Sequence, residues 1–250
     1  MAFPQVVDAD TQSGTVTSNS TSWTLTYPTN LQAGDLILAM VATDGGTLDR
    51  TWPSGWVAVQ RNSGSAATLH VAAKTSDGTE SGTFSLGLGS SEQGAWRIVR
   101  IVGWFGGLFT DAASGSNITN PASPEGTGID VELSGFSPSS VPDPPNLNPG
   151  GWDIEDTLWI AAMAADTSRT VSGYPSNLTT DNDSLVSGGA NGATLAWART
   201  ESAVASLDPG TFTISTSDDW AAVTIAIRPS AAPPPSASLD PFGMRGFFGG

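Results

Sequence analysis

Carboxylates spaced a few residues apart are the side chains of this 250-residue chain whose spacing could do chemistry. Four such groups occur, and their members are Asp8 and Asp10; Asp153, Glu155 and Asp156; Asp181 and Asp183; and Asp218 and Asp219. Carboxylate pairs can act across a sugar, and clustered oxygens can bind calcium. Asp181-Asn-Asp183 is the best calcium fragment, although it lacks the later glycine and glutamate of an EF-hand loop. Turn formation explains it more simply, so we expect neither a metal nor a catalytic pair.

Nucleophilic and metal-binding chemistry has little support elsewhere in the sequence. The chain has one histidine, His70, and no cysteine, so a Ser-His-Asp triad or a zinc site would depend on that one side chain. The Gly-rich segments 103–107 and 187–190 lack the lysine of a phosphate-binding loop. We therefore expect a structural or surface role for His70, no cofactor and no enzymatic activity.

Tryptophan offers a different chemistry, because exposed indole rings can stack on sugars. Five of the nine tryptophans lie in predicted strands and are expected in the core; they are Trp23, Trp96, Trp159, Trp197 and Trp220. The other four lie beside glycine or proline in or near loops, and they are Trp52, Trp56, Trp104 and Trp152. These four make carbohydrate a candidate partner.

The charge balance limits the other partners. The chain has 9 Lys and Arg against 24 Asp and Glu, a net charge of −15. Phosphate backbones and anionic membrane surfaces both require basic patches, so we expect neither nucleic acid nor a membrane as a partner. We also expect no signal peptide and no spanning helix, because no basic-then-apolar leader and no long apolar run occurs.

The apolar pattern predicts β-strands throughout. Residues 23–27 alternate apolar and polar side chains, whereas Leu36–Thr43 is almost continuously apolar, as in a strand buried on both faces. Further strands are predicted at 68–74, 82–88 and 96–102. Arg97 and Arg100 in the last of these should face opposite sides, so at least one must meet an acid, a sheet rim or a subunit interface.

The chain also repeats itself. Five landmarks recur in the same order, 122 to 128 residues apart: 36–44 with 158–166, 52–55 with 174–177, 67–69 with 193–195, 82–84 with 210–212, and 96–101 with 220–225. A unit of this size has an apolar face that it cannot bury alone, so two units should pack together. We therefore predict an all-β fold, an antiparallel and jelly-roll-like β-sandwich built from two related halves, with an extended C-terminal arm.

Proline divides the chain. Residues 134–151 carry five prolines, which cannot pair within a central strand. This connection is either a loop on one sandwich or a boundary between two domains, and the sequence leaves both open. The predicted divisions are a first sandwich half at 1–133, the Pro-rich connection at 134–151, a second half at 152–229, a Pro/Ala/Ser linker at 230–238 and an apolar docking tail at 239–250.

The tail is apolar where a chain end is usually polar. Its large apolar side chains are Leu239, Phe242, Met244, Phe247 and Phe248. Burying them contributes roughly 7–15 kcal/mol, and ordering the tail costs about as much, at roughly 1–2 kcal/mol per residue. One tail alone should therefore bind weakly. The stiff Pro-rich linker favours docking on a neighbouring molecule, with docking on its own sandwich as the alternative.

Five strings carry a resemblance to known proteins, and they are Gly34-Asp-Leu-Ile-Leu-Ala-Met-Val-Ala, Trp52-Pro-Ser-Gly-Trp56, a Thr-Leu-x-Val strand, Gly82-Thr-Phe84 and Trp220-Ala-Ala-Val-Thr-Ile-Ala-Ile-Arg-Pro229. Together, over residues 20–229, they resemble a loosely defined family of β-sandwich proteins. Members are common in tailed bacteriophages and also occur in bacterial surface proteins. The resemblance implies a non-enzymatic virion component and brings no catalytic residues with it.

The resemblance and the arm lead to one expectation of function. We expect a capsid cement (decoration) protein that binds and stabilises the coat lattice through its sandwich and its arm. The alternative is a tail accessory or fibre protein that contacts host-surface glycans. The expected partners are major capsid or tail subunits and further copies of the chain in a homo-oligomer. The expected location is the virion, assembled in the host cytoplasm.

Overall fold

A computed structural model of the protein describes residues 2–45, 50–63, 66–106, 128–135, 138–188 and 192–230. Within these ranges the chain forms fourteen strands, one 3₁₀ helix at Asp8–Asp10 and no α-helix. No helix in this described part is long and apolar enough to cross a membrane. The predicted tail at 239–250, and all of its linker except Ser230, lie outside the described residues.

Two antiparallel sheets pack face to face, which confirms the predicted all-β sandwich. The first sheet has the order β1 (Gln5–Val6), β7 (Thr83–Val102), β3 (Leu36–Thr43), β6 (Thr68–Thr75) and β5 (Val57–Ser63), and β2 (Gln12–Thr26) and β4 (Arg50–Thr51) also pair with β7. The second sheet has the order β8 (Ile129–Gly135), β14 (Trp220–Ile227), β9 (Thr157–Ala165), β12 (Thr194–Ser202) and β11 (Thr180–Val186). A small ribbon joins β10 (Val171–Gly173) to β13 (Thr213–Ile214).

The sequence repeat is a repeat of topology. Strands β7-β3-β6-β5 of the first sheet have the same order as strands β14-β9-β12-β11 of the second. The contacts between the sheets match in pairs, since β3 faces β9 and the β7–β12 contact has its counterpart in the β14–β6 contact. The two halves are therefore related by an approximate two-fold axis that runs between the sheets, as in an isologous dimer.

The strand register corrects one detail of the repeat. In the sheets, the residue that corresponds to Trp220 is Gly94 and not Trp96. The sequence alignment of the two halves is therefore shifted by two residues here, and an even shift keeps each side chain on the same face of its sheet. A β-carbon at Gly94 would collide with the ring of Trp23 and with the carbonyl oxygen of Ala42. The ring of Trp23 from β2 thus occupies, on the first sheet, the place that the Trp220 side chain occupies on the second sheet.

Each sheet is buried on both faces. Every residue of β3, β9 and β14 is buried, which explains their nearly continuous apolar sequences. The inner faces pack against each other in one core that draws on both halves. Each outer face carries a second apolar cluster, and each needs its own cover.

The first sheet is covered by the long antiparallel pair of β2 and β7. Strand β7 joins the two segments 82–88 and 96–102, which the sequence predicts as separate strands, into one strand of twenty residues. Its second half lies between β3 and the first half of β2, while its first half extends beyond β3 and pairs with the second half of β2. This extension brings Leu25 and Leu86 onto the outer face of the first sheet, where both are completely buried.

The second sheet is covered by loops that include the Pro-rich connection. The Thr224 hydroxyl donates a hydrogen bond to the Pro145 carbonyl at 2.6 Å. Leu147 and Leu207 exchange two backbone hydrogen bonds, each 3.0 Å long. Residues 138–149 thus lie on the outer face of the second sheet, and β8, just before them, is paired with β14 in that sheet.

Candidate functional site

At least one carboxylate of each group singled out in the sequence binds an arginine. Asp8 pairs with Arg199, Asp10 with Arg100, Glu155 with Arg228, Asp181 with Arg97, and Asp218 with Arg169. The partners are 49 to 191 residues apart in the chain. These five carboxylates therefore act as cross-links between distant segments.

Arg97 and Arg100 face opposite sides of β7, as predicted, and both meet acids. Arg100 lies on the outer face, where its guanidinium binds Asp10 at 2.8 Å and Asp35 at 2.6 Å. Arg97 points between the sheets, where its Nη2 lies 2.5 Å from Asp181 Oδ2. Its guanidinium carbon is 4.1 Å from the ring centre of Trp197 in the opposite sheet, a cation–π contact across the core.

A β-bulge positions the Asp181 carboxylate. The β11–β12 ladder is irregular between Thr180 and Asp183, and Asp181 adopts a left-handed backbone with φ of 53°. Bulges turn side chains away from the regular alternation. Here Asp181 reaches Arg97, and its Oδ2 is also 3.5 Å from Arg199 Nε. Asp181 of the candidate calcium fragment therefore serves as an anchor for two guanidinium groups.

A second acidic region lies at the end of the sandwich where β3 and β9 stop. Asp44 and Asp166 are repeat counterparts and donate equivalent backbone hydrogen bonds, to Gln93 at 3.1 Å and to Asp219 at 3.0 Å. Burial raises the pKa of Asp44 to about 6, and the nearby Glu92 adds to the rise. Burial, together with the charges of Asp218 and Asp219, also raises the pKa of Asp166 to about 6.

The four candidate sugar-stacking tryptophans are not brought together. Trp52 and Trp56 lie on the outer face of the first sheet, Trp104 in the shared core and Trp152 on the outer face of the second sheet. Trp56 and Trp104 are buried, and their indole N–H groups donate to the Tyr27 hydroxyl and to the Gly34 carbonyl. Neither of these two rings is available for stacking on a ligand.

Trp52 belongs to a half-buried aromatic group. Its ring centre lies 5.0 Å from that of Trp56 and 6.4 Å from that of Phe84, and Phe84 is 4.5 Å from Tyr27. The Lys74 ammonium lies 5.9 Å from the Tyr27 ring centre. Trp52, Tyr27 and Phe84 keep part of their surface exposed, as does Trp152 on the outer face of the second sheet, so Trp52 and Trp152 are the candidate stacking residues that remain accessible.

The point at which the chain leaves the sandwich carries a site that the sequence did not predict. The Arg228 guanidinium binds Glu155, with Nε 2.7 Å from Oε2, and its carbon lies 4.7 Å from the Phe105 ring centre and 5.7 Å from that of Trp152. Ile154, the neighbour of Glu155, is 68% exposed. We call Phe105, Trp152, Ile154 and Arg228 the root patch, because the arm begins two residues after Arg228.

His70 is buried in β6, which fits the predicted structural role. Among the described residues, no three His, Cys, Asp or Glu side chains are grouped so that they could hold a metal ion. No protein-family model, no curated protein and no solved structure matches the chain. Its function therefore has to be inferred from its own residues.

Removing the charge of Asp181 tests the buried arginine network. We expect Asp181→Asn to lower the free energy of unfolding by about 3 kcal/mol, because the buried Arg97 would lose the carboxylate that pairs with it directly. Asp183→Asn is the matched control, since Asp183 is exposed and accepts one hydrogen bond, from the Ser184 backbone. Urea titration measures both variants, and equal losses would contradict the assignment.

The pH dependence of stability tests the acidic end. Asp166 has a pKa of about 6 in the folded protein and 3.8 as its ordinary value, so stability should fall as pH rises from about 4 to about 6. Asp166→Asn should abolish this loss of stability, because asparagine does not ionise. We expect a gain of about 1–2 kcal/mol near neutral pH, reduced by partial exposure, and little gain near pH ~4.

Urea titrations at the two pH values measure this gain. Asp143→Asn, which removes an exposed carboxylate, controls for the general relief of negative charge. A gain from Asp166→Asn that does not change with pH, or that Asp143→Asn reproduces, would show that the raised pKa of Asp166 does not affect stability.

Proposed function

We propose that this protein is a non-enzymatic structural component of a bacteriophage virion. Its proposed role is that of a capsid cement (decoration) protein, which binds and stabilises the coat lattice through the sandwich and the C-terminal arm. The observation that carries the proposal is the position of the root patch. This exposed surface of the sandwich lies where the C-terminal arm begins. Body and arm can therefore contact the same assembly together.

The use of charge within the body supports an assembly role. Six of the nine basic side chains form ion pairs inside the chain, and they are Lys74, Arg97, Arg100, Arg169, Arg199 and Arg228. The surplus of acidic side chains keeps the particle soluble and repels non-specific contacts. Specific attachment then has to come from apolar surface, which this chain combines at the root patch and in the arm.

The topology also suits a mechanical role. Both central strands pair on both sides along their length, and the ion pairs join the first half to the second. A rigid body with a tethered apolar segment can bind weakly at two places and strongly overall, because the tether raises the effective concentration of the second contact. This compensates for the weak binding expected of the arm alone.

Deletion of 230–250 tests the role of the arm. We expect the truncated protein to lose binding to purified particles, because the remaining contact through the body is too weak alone. Co-sedimentation with particles measures binding, and full-length protein carrying Val186→Asp, an exposed position on β11, is the control. Retained binding by the truncated protein would refute the role of the arm.

The alternative, a tail accessory or fibre protein that contacts host glycans, is favoured by one observation. Trp52 lies in an aromatic group that keeps part of its surface exposed, with the Lys74–Glu80 ion pair nearby (2.9 Å). Aromatic faces flanked by charged and hydrogen-bonding groups suit pyranose rings. Trp56 belongs to the core of the same group, so its replacement would confuse loss of binding with loss of stability.

Trp52→Ala therefore tests the glycan alternative more cleanly than Trp56→Ala. If the protein binds glycans through this group, we expect the substitution to weaken binding on a glycan array about tenfold or more. Val141→Ala, at an exposed apolar position outside the aromatic group and the root patch, is the control, and circular dichroism checks that both variants fold. A blank array for the unmodified protein would count against this alternative.

A further inference from the structure

The arm leaves the sandwich directly beside the root patch. The Ser230 N–H donates to the Gly103 carbonyl at 2.8 Å, and Phe105 N–H donates to the Arg228 carbonyl at 2.9 Å. Phe105 is 36% exposed and Ile154 is 68% exposed, which makes them two of the four exposed large apolar residues in the described part of the chain. The end of the chain and an uncovered apolar surface therefore occur at the same place.

The root patch is held in a fixed shape. Arg228 connects Phe105 and Trp152, because the guanidinium is hydrogen-bonded to Glu155 and lies within 6 Å of the ring centres of both aromatic residues. Glu155 is itself buried. A preformed apolar surface costs less to bind than one that must first be ordered. The patch is therefore suited to receive an apolar segment.

Charge restricts what can approach the patch. The whole chain carries −15, whereas residues 231–250 carry one acid, Asp240, and one base, Arg245, and are neutral. Two sandwiches repel each other, but an arm can approach a second sandwich without that penalty. Asp153, which precedes the exposed Ile154, is itself exposed, so a carboxylate lies beside the patch.

We propose that residues 239–250 of one copy bind the root patch of a second copy, in a reciprocal exchange of arms. The linker argues against the arm's own patch, because residues 231–238 include three consecutive prolines, and a Pro-rich segment extends by about 3 Å per residue, or roughly 25 Å over eight residues. Exchange about a two-fold axis makes both docking events simultaneous, which compensates for the weakness of one arm. The proposal rests on the proposed assembly role and deepens it by naming a neighbouring copy within the same assembly as the molecule on which the arm docks.

Disulfide trapping tests the exchange, because the chain has no cysteine of its own. One variant carries Ile154→Cys and a second, with a size tag, carries Phe247→Cys; the two are mixed and oxidised. We expect a disulfide-linked heterodimer. Val186→Cys, at a position in β11 that is also exposed, replaces Ile154→Cys as the control and should give at least tenfold less product.

Two outcomes would overturn the exchange. One is an equal yield with Val186→Cys. The other is a chain carrying both Ile154→Cys and Phe247→Cys that closes on itself as a disulfide-linked monomer without forming dimers, since this would place the arm on its own sandwich.

Self-association of the full chain provides an independent measurement. Sedimentation should detect a dimer whose dissociation constant rises at least tenfold in Ile154→Asp and is unchanged in Val186→Asp. Added salt should strengthen the dimer, because it screens the repulsion between two acidic bodies. A chain that stays monomeric at all concentrations while its arm still binds particles would refute the exchange and leave the virion role intact.

Discussion

Burial of both faces of the two central strands is the constraint on which the rest of the structure depends. No residue of β3 or β9 is exposed, so each sheet needs the other sheet on its inner face and a separate cover outside. The inner faces of the two sheets cover each other, because the two halves pack together about an approximate two-fold axis. The outer covers differ, since the long antiparallel pair of β2 and β7 covers the first sheet, and the Pro-rich connection with its neighbouring loops covers the second.

The approximate symmetry is broken at one edge by charge. Arg97 and Arg199 meet between the sheets, whereas the register gives Val223 and Ala73 as their counterparts at the opposite edge. A buried ion pair adds little net stability, yet it penalises any arrangement that leaves one partner unpaired. The arginine network therefore defines which edges of the two halves come together, while the apolar core supplies the cohesion.

The same use of arginine shapes the outer surface. Most of the basic side chains are consumed inside the chain, so the acidic residues dominate what a partner meets. Contacts with other molecules then depend on the few apolar residues that the fold leaves uncovered. The root patch lies at the start of the neutral arm, and this coincidence unites the proposed virion role and the proposed exchange of arms in one surface.

The sequence alone determined the fold class, the repeat and the central strands, because burial on both faces leaves a continuous apolar run and an internal duplication leaves matching landmarks. It also indicated that Arg97 and Arg100 would need partners. Only the tertiary structure decided which carboxylates those were, since the ion pairs join residues far apart in the chain. It likewise separated the four loop tryptophans and created the root patch, because Phe105, Trp152 and Arg228 meet only when three distant segments fold together.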